Sequence, residues 1–400
     1  MRLLIITPQL PFPPQQGTTL RNFNIIKHLA PRHAITLLSF GTPAELQNAA
    51  PLGALCERIE IAPYPTRSMM QRAWTTLTSP QPDMALRLKS DAMQALVEKL
   101  ARERFDVIQV EGIEMARYIL NLQLSIGNCQ LIFDDHNAEY VLQRTAFKSD
   151  AQRITRAHAA LYSLIQWKKL ERYERAICER VNHVVACSDT DANAITQLRQ
   201  SKITIIPNGV DTELYVPSTE VCAKPLAELA MVFTGKMDYR PNIDAMLWFC
   251  DDILPRIRAE IPLAHLIIVG QKPAPKISAL AQREGIQVTG AVPDVRPFIA
   301  DAAVYVMPLR MGSGTRLKAL EAMAMGQAIV STSRGAEGIA LTPDHDAVIA
   351  DSPDEFARAV LTLLRDPARR GDLGRHARTL AVAQYDWRTL VPLFEKIYSA

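Results

Sequence analysis

Thirteen short apolar runs recur along this chain of 400 residues, and that recurrence limits the fold more than any other feature. The runs are 2–7, 34–40, 58–62, 106–110, 130–133, 182–187, 203–206, 230–234, 264–269, 286–289, 302–306, 328–331 and 347–350. Several are apolar without interruption, as strands buried on both faces of a parallel sheet must be. The segments between them have helical patterns, so the class is α/β with parallel sheets. Thirteen strands exceed the usual capacity of one sheet, and two sheets of about six fit it. Length agrees, since roughly 100–200 residues per domain gives two or three domains. The break falls near 200–225, where IIPNGVD makes a turn and VPSTEVCAKPLAEL loses periodicity. The expected layout is one doubly wound domain over residues 1–200 and a second over 205–375. A terminal helical segment is expected over 376–400.

Composition narrows the function classes. A net charge of +3 argues against a chain that binds nucleic acid through bulk charge. Cys56, Cys129, Cys178, Cys187, Cys222 and Cys250 form no C-x-x-C pair, as suits buried thiols in a reducing compartment. The N-terminal run is too short for a signal-peptide core. No uninterrupted apolar stretch approaches the ~20 residues of a membrane span. A cytoplasmic location is therefore expected, with room for contact at a membrane surface.

In open α/β sheets ligands sit beyond the carboxyl ends of the strands, which turns the strand list into a list of places to look. The segment MPLRMGSGTRLKALEAM (307–323) is the richest. Gly312, Ser313, Gly314, Thr315 and Arg316 form a loop that opens a helix. Glycines admit a ligand close to the backbone, and free amides with a positive dipole end favour a diphosphate. Lys318 and Glu321 follow on one helical face, three residues apart. Lys318 suits phosphate and Glu321 suits ribose hydroxyls. The plainer reading is a surface ion pair, but Glu321 lies in the apolar stretch ALEAMAM, where a carboxylate needs a partner.

Three further segments follow strands. In FDDHNAE (133–139), His136 stands beside Asp134 and Asp135, a setting suited to proton transfer near neutral pH, though also common in plain turns. In TGKMDYRPN (234–242), Lys236 and Arg240 follow Gly235, where cations could balance a departing diphosphate or simply be solvated. After the first strand, Gly17 opens a helix with Arg21 in its first turn, which can admit a phosphate or be an ordinary helix start. That loop lacks G-x-G-x-x-G, which argues against a nicotinamide-dependent dehydrogenase. Glu111, Ser188, Asn208, Gly209 and Gly290 are minor pointers at strand ends and turns. Residues 140–180 read as one long helical stretch with nine Lys or Arg against four acids. Tyr162 and Trp167 interrupt that charge, so the stretch could meet an anionic membrane or be a solvated basic face.

Taken in order, these segments resemble the group 1 (family 4) retaining glycosyltransferases, which have the GT-B fold. The resemblance runs through the Gly17 loop, the His136 segment, VVACSDTDA, IIPNGVD, FTGK, LIIVG and VTGAVPDV, and is most specific in YVMPLRMGSGTRLKALEAMAMGQAIVSTSRGAEGI. It implies two Rossmann-like domains facing across a cleft that holds the active site. The second domain would bind the nucleotide-sugar donor and the first the acceptor, a glycan or a lipid-linked molecule. Glu321 matches the ribose glutamate and Lys236 takes the place of the usual arginine toward the diphosphate. His136 matches the histidine near the transferred sugar. Transfer would proceed with retention. No metal-ligand cluster is visible in the sequence, so activity without an added divalent ion or other cofactor is expected. The terminal helix would pack back on the first domain.

This sequence departs from the pattern at three places. Ser313 stands where a second glutamate is common. Pro241 stands at the usual phosphate lysine, with Arg240 one residue before it. Gly17 is single where many members have two glycines. Two other readings share parts of the pattern. A sugar-nucleotide 2-epimerase needs a second acid/base set that is not visible, and a non-catalytic nucleotide-sugar binder would accommodate Ser313.

Overall fold

The computed structural model describes residues 1–122, 129–151, 156–198, 202–217, 229–312 and 316–399. Each of the thirteen runs carries a strand. The first seven are β1 (Arg2–Thr7), β2 (Ala34–Phe40), β3 (Arg58–Ala62), β4 (Val107–Glu111), β5 (Gln130–Asp135), β6 (His183–Ala186) and β7 (Ile203–Ile205). They form one parallel sheet in the order β3-β2-β1-β4-β5-β6-β7. The other six are β8 (Ala230–Thr234), β9 (His265–Val269), β10 (Ile286–Gly290), β11 (Val304–Met307), β12 (Ile329–Ser331) and β13 (Val348–Ile349). Their parallel sheet has the order β10-β9-β8-β11-β12-β13. Run 203–206, which stood with the second half in sequence, pairs with β6 and completes the first sheet.

Both sheets are covered on both faces, and alternation along a strand shows it. In β8, Met231 and Phe233 enter one apolar cluster and Val232 the other. In β11, Val304 and Val306 divide from Tyr305 in the same way. Successive side chains of a strand point to opposite faces, so a strand buried on both must be apolar throughout.

The chain divides into two compact units. One is Met1–Pro207 with Leu390–Ala400, and the other is Asn208–Thr389. The terminal segment expected over 376–400 therefore splits at Leu390. Its last residues are tied to the first unit by hydrogen bonds from Arg32 Nε to Glu395 Oε1 at 2.6 Å and from the Tyr398 hydroxyl to Gln109. The Arg21 guanidinium lies 5.7 Å from the Phe394 ring centre. The long basic stretch is two helices among the described residues, Glu139–Ala151 and Ala157–Arg180.

Both sheets have a topological switch point, where strand order reverses. In the first it lies between β1 and β4, and in the second between β8 and β11. Ligands of doubly wound sheets bind beyond the strand ends at such a point.

Candidate functional site

In the second unit, the loop after β8 and the helix after β11 meet at the switch point. Gly235 has φ of +150°, and a β-carbon there would come within 2.7 Å of Lys318 Nζ and 2.9 Å of the Asn242 side-chain nitrogen. Glycine is thus required by both its backbone angle and the close approach of Lys318. Gly270 presses from the next strand end, where an added β-carbon would lie 1.6 Å from the Gly235 carbonyl oxygen.

Lys318 is the second residue of the helix Leu317–Ala324. Its ammonium donates to Asn242 Oδ1 at 2.8 Å and lies 4.0 Å from the Phe233 ring centre. Asn242 is fixed in turn by donating to the Lys236 carbonyl at 2.8 Å. No carboxylate among the described residues lies within ion-pair distance of Lys318. Burial is the main cause that pushes its pKa down to about 7, with Arg316 adding to the effect and Glu321 opposing it. An ammonium with one neutral acceptor and two spare N–H donors is arranged for an anion that has still to arrive.

Glu321 lies one turn further along the same helix. Its Oε1 accepts from the Tyr215 hydroxyl at 3.1 Å, the carboxylate's one hydrogen bond among the described residues. Burial pushes its pKa up to about 7, against the Tyr215 hydrogen bond and the Lys318 charge. The second oxygen is available to hydroxyl donors.

The other predicted cations differ in kind. Lys236 is exposed, and its one ion-pair partner among the described residues is Asp238, at 3.9 Å. Arg240 is exposed at the start of the helix Arg240–Trp248. Arg316 is buried, donating to the Arg334 carbonyl at 3.3 Å beside Glu337, and burial lowers its pKa. Gly312 has φ of +108° and packs against that guanidinium. Ser313, Gly314 and Thr315 lie outside the described residues.

In the first unit, His136 follows β5, and its Nε2 lies 3.1 Å from Glu111 Oε2 at the end of β4. Its partner is therefore Glu111 and neither neighbouring aspartate. The register pairs Glu111 with Asp134, while Asp134 and Asp135 point to opposite sides of their strand. Burial lowers the His136 pKa, but the Glu111 hydrogen bond and the charges of Asp134 and Glu111 outweigh it and raise the value overall. Glu111 is fully buried, and burial with the Asp134 charge raises its own pKa. Glu139 opens the following helix, and burial pushes its pKa up to about 7.

Gly17 begins the helix Gly17–Leu29, where Thr19 and Gln16 cap each other's groups at 3.0 Å. Arg21, in the first turn of that helix, is turned into the protein. It is buried, with two bonds to Asp134 at 2.8 and 3.0 Å and others to the Ile206 and Pro207 carbonyls at 3.0 and 3.1 Å. Ligand atoms of Glu111, Asp134 and His136 lie within 4.8 Å of one another, a grouping that could hold a metal ion. Both Asp134 oxygens are engaged by Arg21, and Glu111 is shared between Gln109 and His136, so hydrogen bonding accounts for the cluster.

Sequence reasoning treated Glu111 as a minor pointer and missed Asn242 and Tyr215. Asn242 could have been found as the polar residue opening the helix after FTGK, but nothing local marks Tyr215.

A family model described as "Glycosyltransferase Family 4" matches residues 16–214, and one described as "Glycosyl transferases group 1" matches residues 228–366. The phosphatidyl-myo-inositol mannosyltransferase of Mycobacterium tuberculosis is 27% identical over 235 residues, covering 56% of this chain and 61% of that protein. The chain thus spans about three fifths of that relative. Among solved structures, a sucrose-phosphate synthase of Thermosynechococcus elongatus has a TM-score of 0.72 at 18% identity, covering 100% of this chain and 98% of its own. Anabaena HepE, solved with UDP and glucose, has a TM-score of 0.68 at 14% identity, with 100% and 99% coverage. These structures have the GT-B fold, and the two parallel-sheet α/β units of this chain share it.

Proposed function

Because the chain belongs to the glycosyltransferases of group 1 and family 4, we propose that it moves a sugar from a nucleoside-diphosphate sugar to a glycan or lipid-linked acceptor. The observation that carries this is the pair of half-buried groups at the second switch point, Lys318 held by Asn242 and Glu321 held by Tyr215. One supplies an uncommitted cation for a diphosphate, and the other an acceptor for ribose hydroxyls one helical turn away. HepE, solved with UDP-glucose, supports a donor of this class.

Breaking the anomeric bond leaves growing negative charge on the diphosphate and an oxocarbenium-like sugar. Lys318, Lys236 and Arg240 are the cations for the leaving group, with the loop that includes Gly312 beside them. His136, oriented by Glu111, is the first unit's group for proton transfer or charge stabilisation at the sugar. Retention, independence from metals and a role in surface polysaccharide or glycoconjugate synthesis belong to the same reading. No helix among the described residues is long and apolar enough to cross a membrane. The reading places the protein in the cytoplasm, with peripheral contact at the inner face of the plasma membrane through 140–180.

The test is incubation with a panel of labelled nucleotide sugars, with and without acceptors and with and without a chelator. Transfer that survives chelation is the expected outcome. Epimerisation of the donor, binding without turnover, or strict dependence on a divalent ion would each refute a stated part of the reading.

A further inference from the structure

The helix Met69–Thr78 (MMQRAWTTLT) in the first unit has its amphipathic faces reversed. At 100° per residue, Met69, Met70, Ala73, Trp74 and Leu77 share one stripe, Arg72 and Thr75 lie on the other side, and Thr76 stands at the stripe's edge. The polar side is the one that holds the helix to the protein. Arg72 Nε is 2.9 Å from Asp83 Oδ2, and its Nη2 donates to the Tyr162 hydroxyl at 3.1 Å. Arg67 bonds the Thr75 hydroxyl, and Lys169 donates to the Thr76 carbonyl at 2.7 Å. The apolar side faces out, with Met70 82%, Trp74 69% and Leu77 76% exposed. A soluble helix ordinarily buries its apolar stripe, so a stripe of this size turned outward marks an interaction surface.

The neighbouring helix shows what the surface fits. Tyr162 and Lys169, which touch Met69–Thr78, lie on the helix Ala157–Arg180. Beside them on that helix, Leu161, Ile165, Lys168 and Arg172 form a stripe at helical spacing. Leu161 is 59% exposed, and Lys168 and Arg172 are exposed as well. Methionine, tryptophan and leucine therefore stand next to a basic stripe, within a stretch that has nine Lys or Arg against four acids. Ten residues are too few to span a bilayer but suffice to lie in its interface. Tryptophan favours the headgroup level, and adjacent cations attract anionic lipid.

We propose that Met69–Thr78 is a membrane-docking helix that seats its Met69, Met70, Trp74 and Leu77 face in an anionic lipid bilayer, with Lys168 and Arg172 beside it against the headgroups. This gives the peripheral contact of the functional reading its inserting element, which lies outside 140–180. The surface rests on that reading only for its purpose and not for its existence.

The test uses the full chain with vesicles of phosphatidylcholine alone and of an equal mixture of phosphatidylcholine and phosphatidylglycerol. Trp74 is a built-in reporter, because Trp248 and Trp387 are buried and Trp167 is partly so. Mixed vesicles should co-sediment the protein and shift its tryptophan emission to the blue, and added salt should weaken both effects. Trp74→Phe should abolish most of the shift while keeping the binding. Leu77→Glu, and separately Met70→Gln with Trp74→Gln, should lower partitioning by about tenfold or more. These side chains are exposed, so circular dichroism should show intact folding. Hydrolysis of nucleotide sugar without vesicles should be unchanged, which separates a failure here from a failure of the donor reading. Equal binding by the wild type and Leu77→Glu would overturn the proposal. So would absence of vesicle binding together with a dimer that Leu77→Glu dissociates, since a second copy would then cover the face.

Discussion

Replacing Lys318 with methionine keeps most of the side chain's volume and removes its charge. If the ammonium awaits a diphosphate, the variant loses a charge-assisted hydrogen bond, a loss of about 1.5–3 kcal/mol, or roughly 10- to 150-fold in Kd. Stability should not follow the same course. The folded pKa of about 7 lies below the unfolded value, so the unfolded chain binds more protons from there up to about pH 10. Charged Lys318 therefore costs stability, a cost that is full below the folded pKa and fades as pH rises through that window. The substitution removes it and leaves Asn242 Oδ1 without its donor, at about 1–3 kcal/mol. The two effects oppose each other, so thermal denaturation near pH 7 should show little net loss.

The pH dependence of binding gives a sharper test. About 1.5 units above the folded pKa, roughly 3% of free sites carry the charge, so the Lys318 contribution alone should lower affinity about thirtyfold from its value at low pH if bound Lys318 stays protonated, while ionisation of Glu321 over the same range works against that fall. An intact nucleotide sugar is the right ligand, because its diphosphate diester does not titrate there. Calorimetry in buffers of different ionisation enthalpy should also detect proton uptake on binding. Wild-type affinity in a folded Lys318→Met, or a flat profile from about pH 6 to 8.5 in Glu321→Gln, which removes the one carboxyl of the site that titrates over the same range, would refute the assignment.

Glu321→Ala should weaken nucleotide-sugar binding by about 1.5–3 kcal/mol, with Glu321→Gln milder because it keeps an acceptor; direct titration checks both. His136→Ala should lower turnover by about 100-fold or more with much less effect on donor affinity, read from steady-state transfer beside binding. Glu111→Gln should lower the His136 pKa, measurable by NMR titration, because the raised value depends on that hydrogen bond. The stability that His136 protonation contributes is full below the ordinary histidine pKa and lost as pH rises through the raised value, and this component should shrink in Glu111→Gln. Arg21→Met should destabilise the chain by about 3–5 kcal/mol in denaturant melts, because Asp134 would remain buried without its cation.

The central strands were legible because their sheets are covered on both faces, which forces mostly apolar runs; the half-exposed edge strands Arg58–Ala62, Ile203–Ile205, Ile286–Gly290 and Val348–Ile349 were legible from their β-rich runs and spacing. Lys318 and Glu321 were legible because helical spacing alone places them on one side. Their partners were not, because each comes from a distant stretch. Asn242 is 76 residues from Lys318 and Tyr215 is 106 from Glu321. Glu111 reaches His136 across 25 residues through strand register, which local sequence does not encode. The role of Arg21 was not legible for the same reason, since its carboxylate partner lies 113 residues away. The helix Met69–Thr78 passed unnoticed because its pattern resembles that of any helix with a buried stripe, and only exposure reveals which side faces out.

The return of Leu390–Ala400 to the first unit also sets a timetable for biosynthesis. The ribosome finishes residue 207 long before it makes Phe394, Glu395 and Tyr398, with Asn208–Thr389 translated in between. At about 5–20 residues per second that interval is roughly 10–40 s. Throughout it the nascent first unit lacks the aromatic cover over Arg21 and the hydroxyl bound to Gln109. A segment made only after the whole second unit therefore closes the first unit begun, which stays without these contacts for that interval.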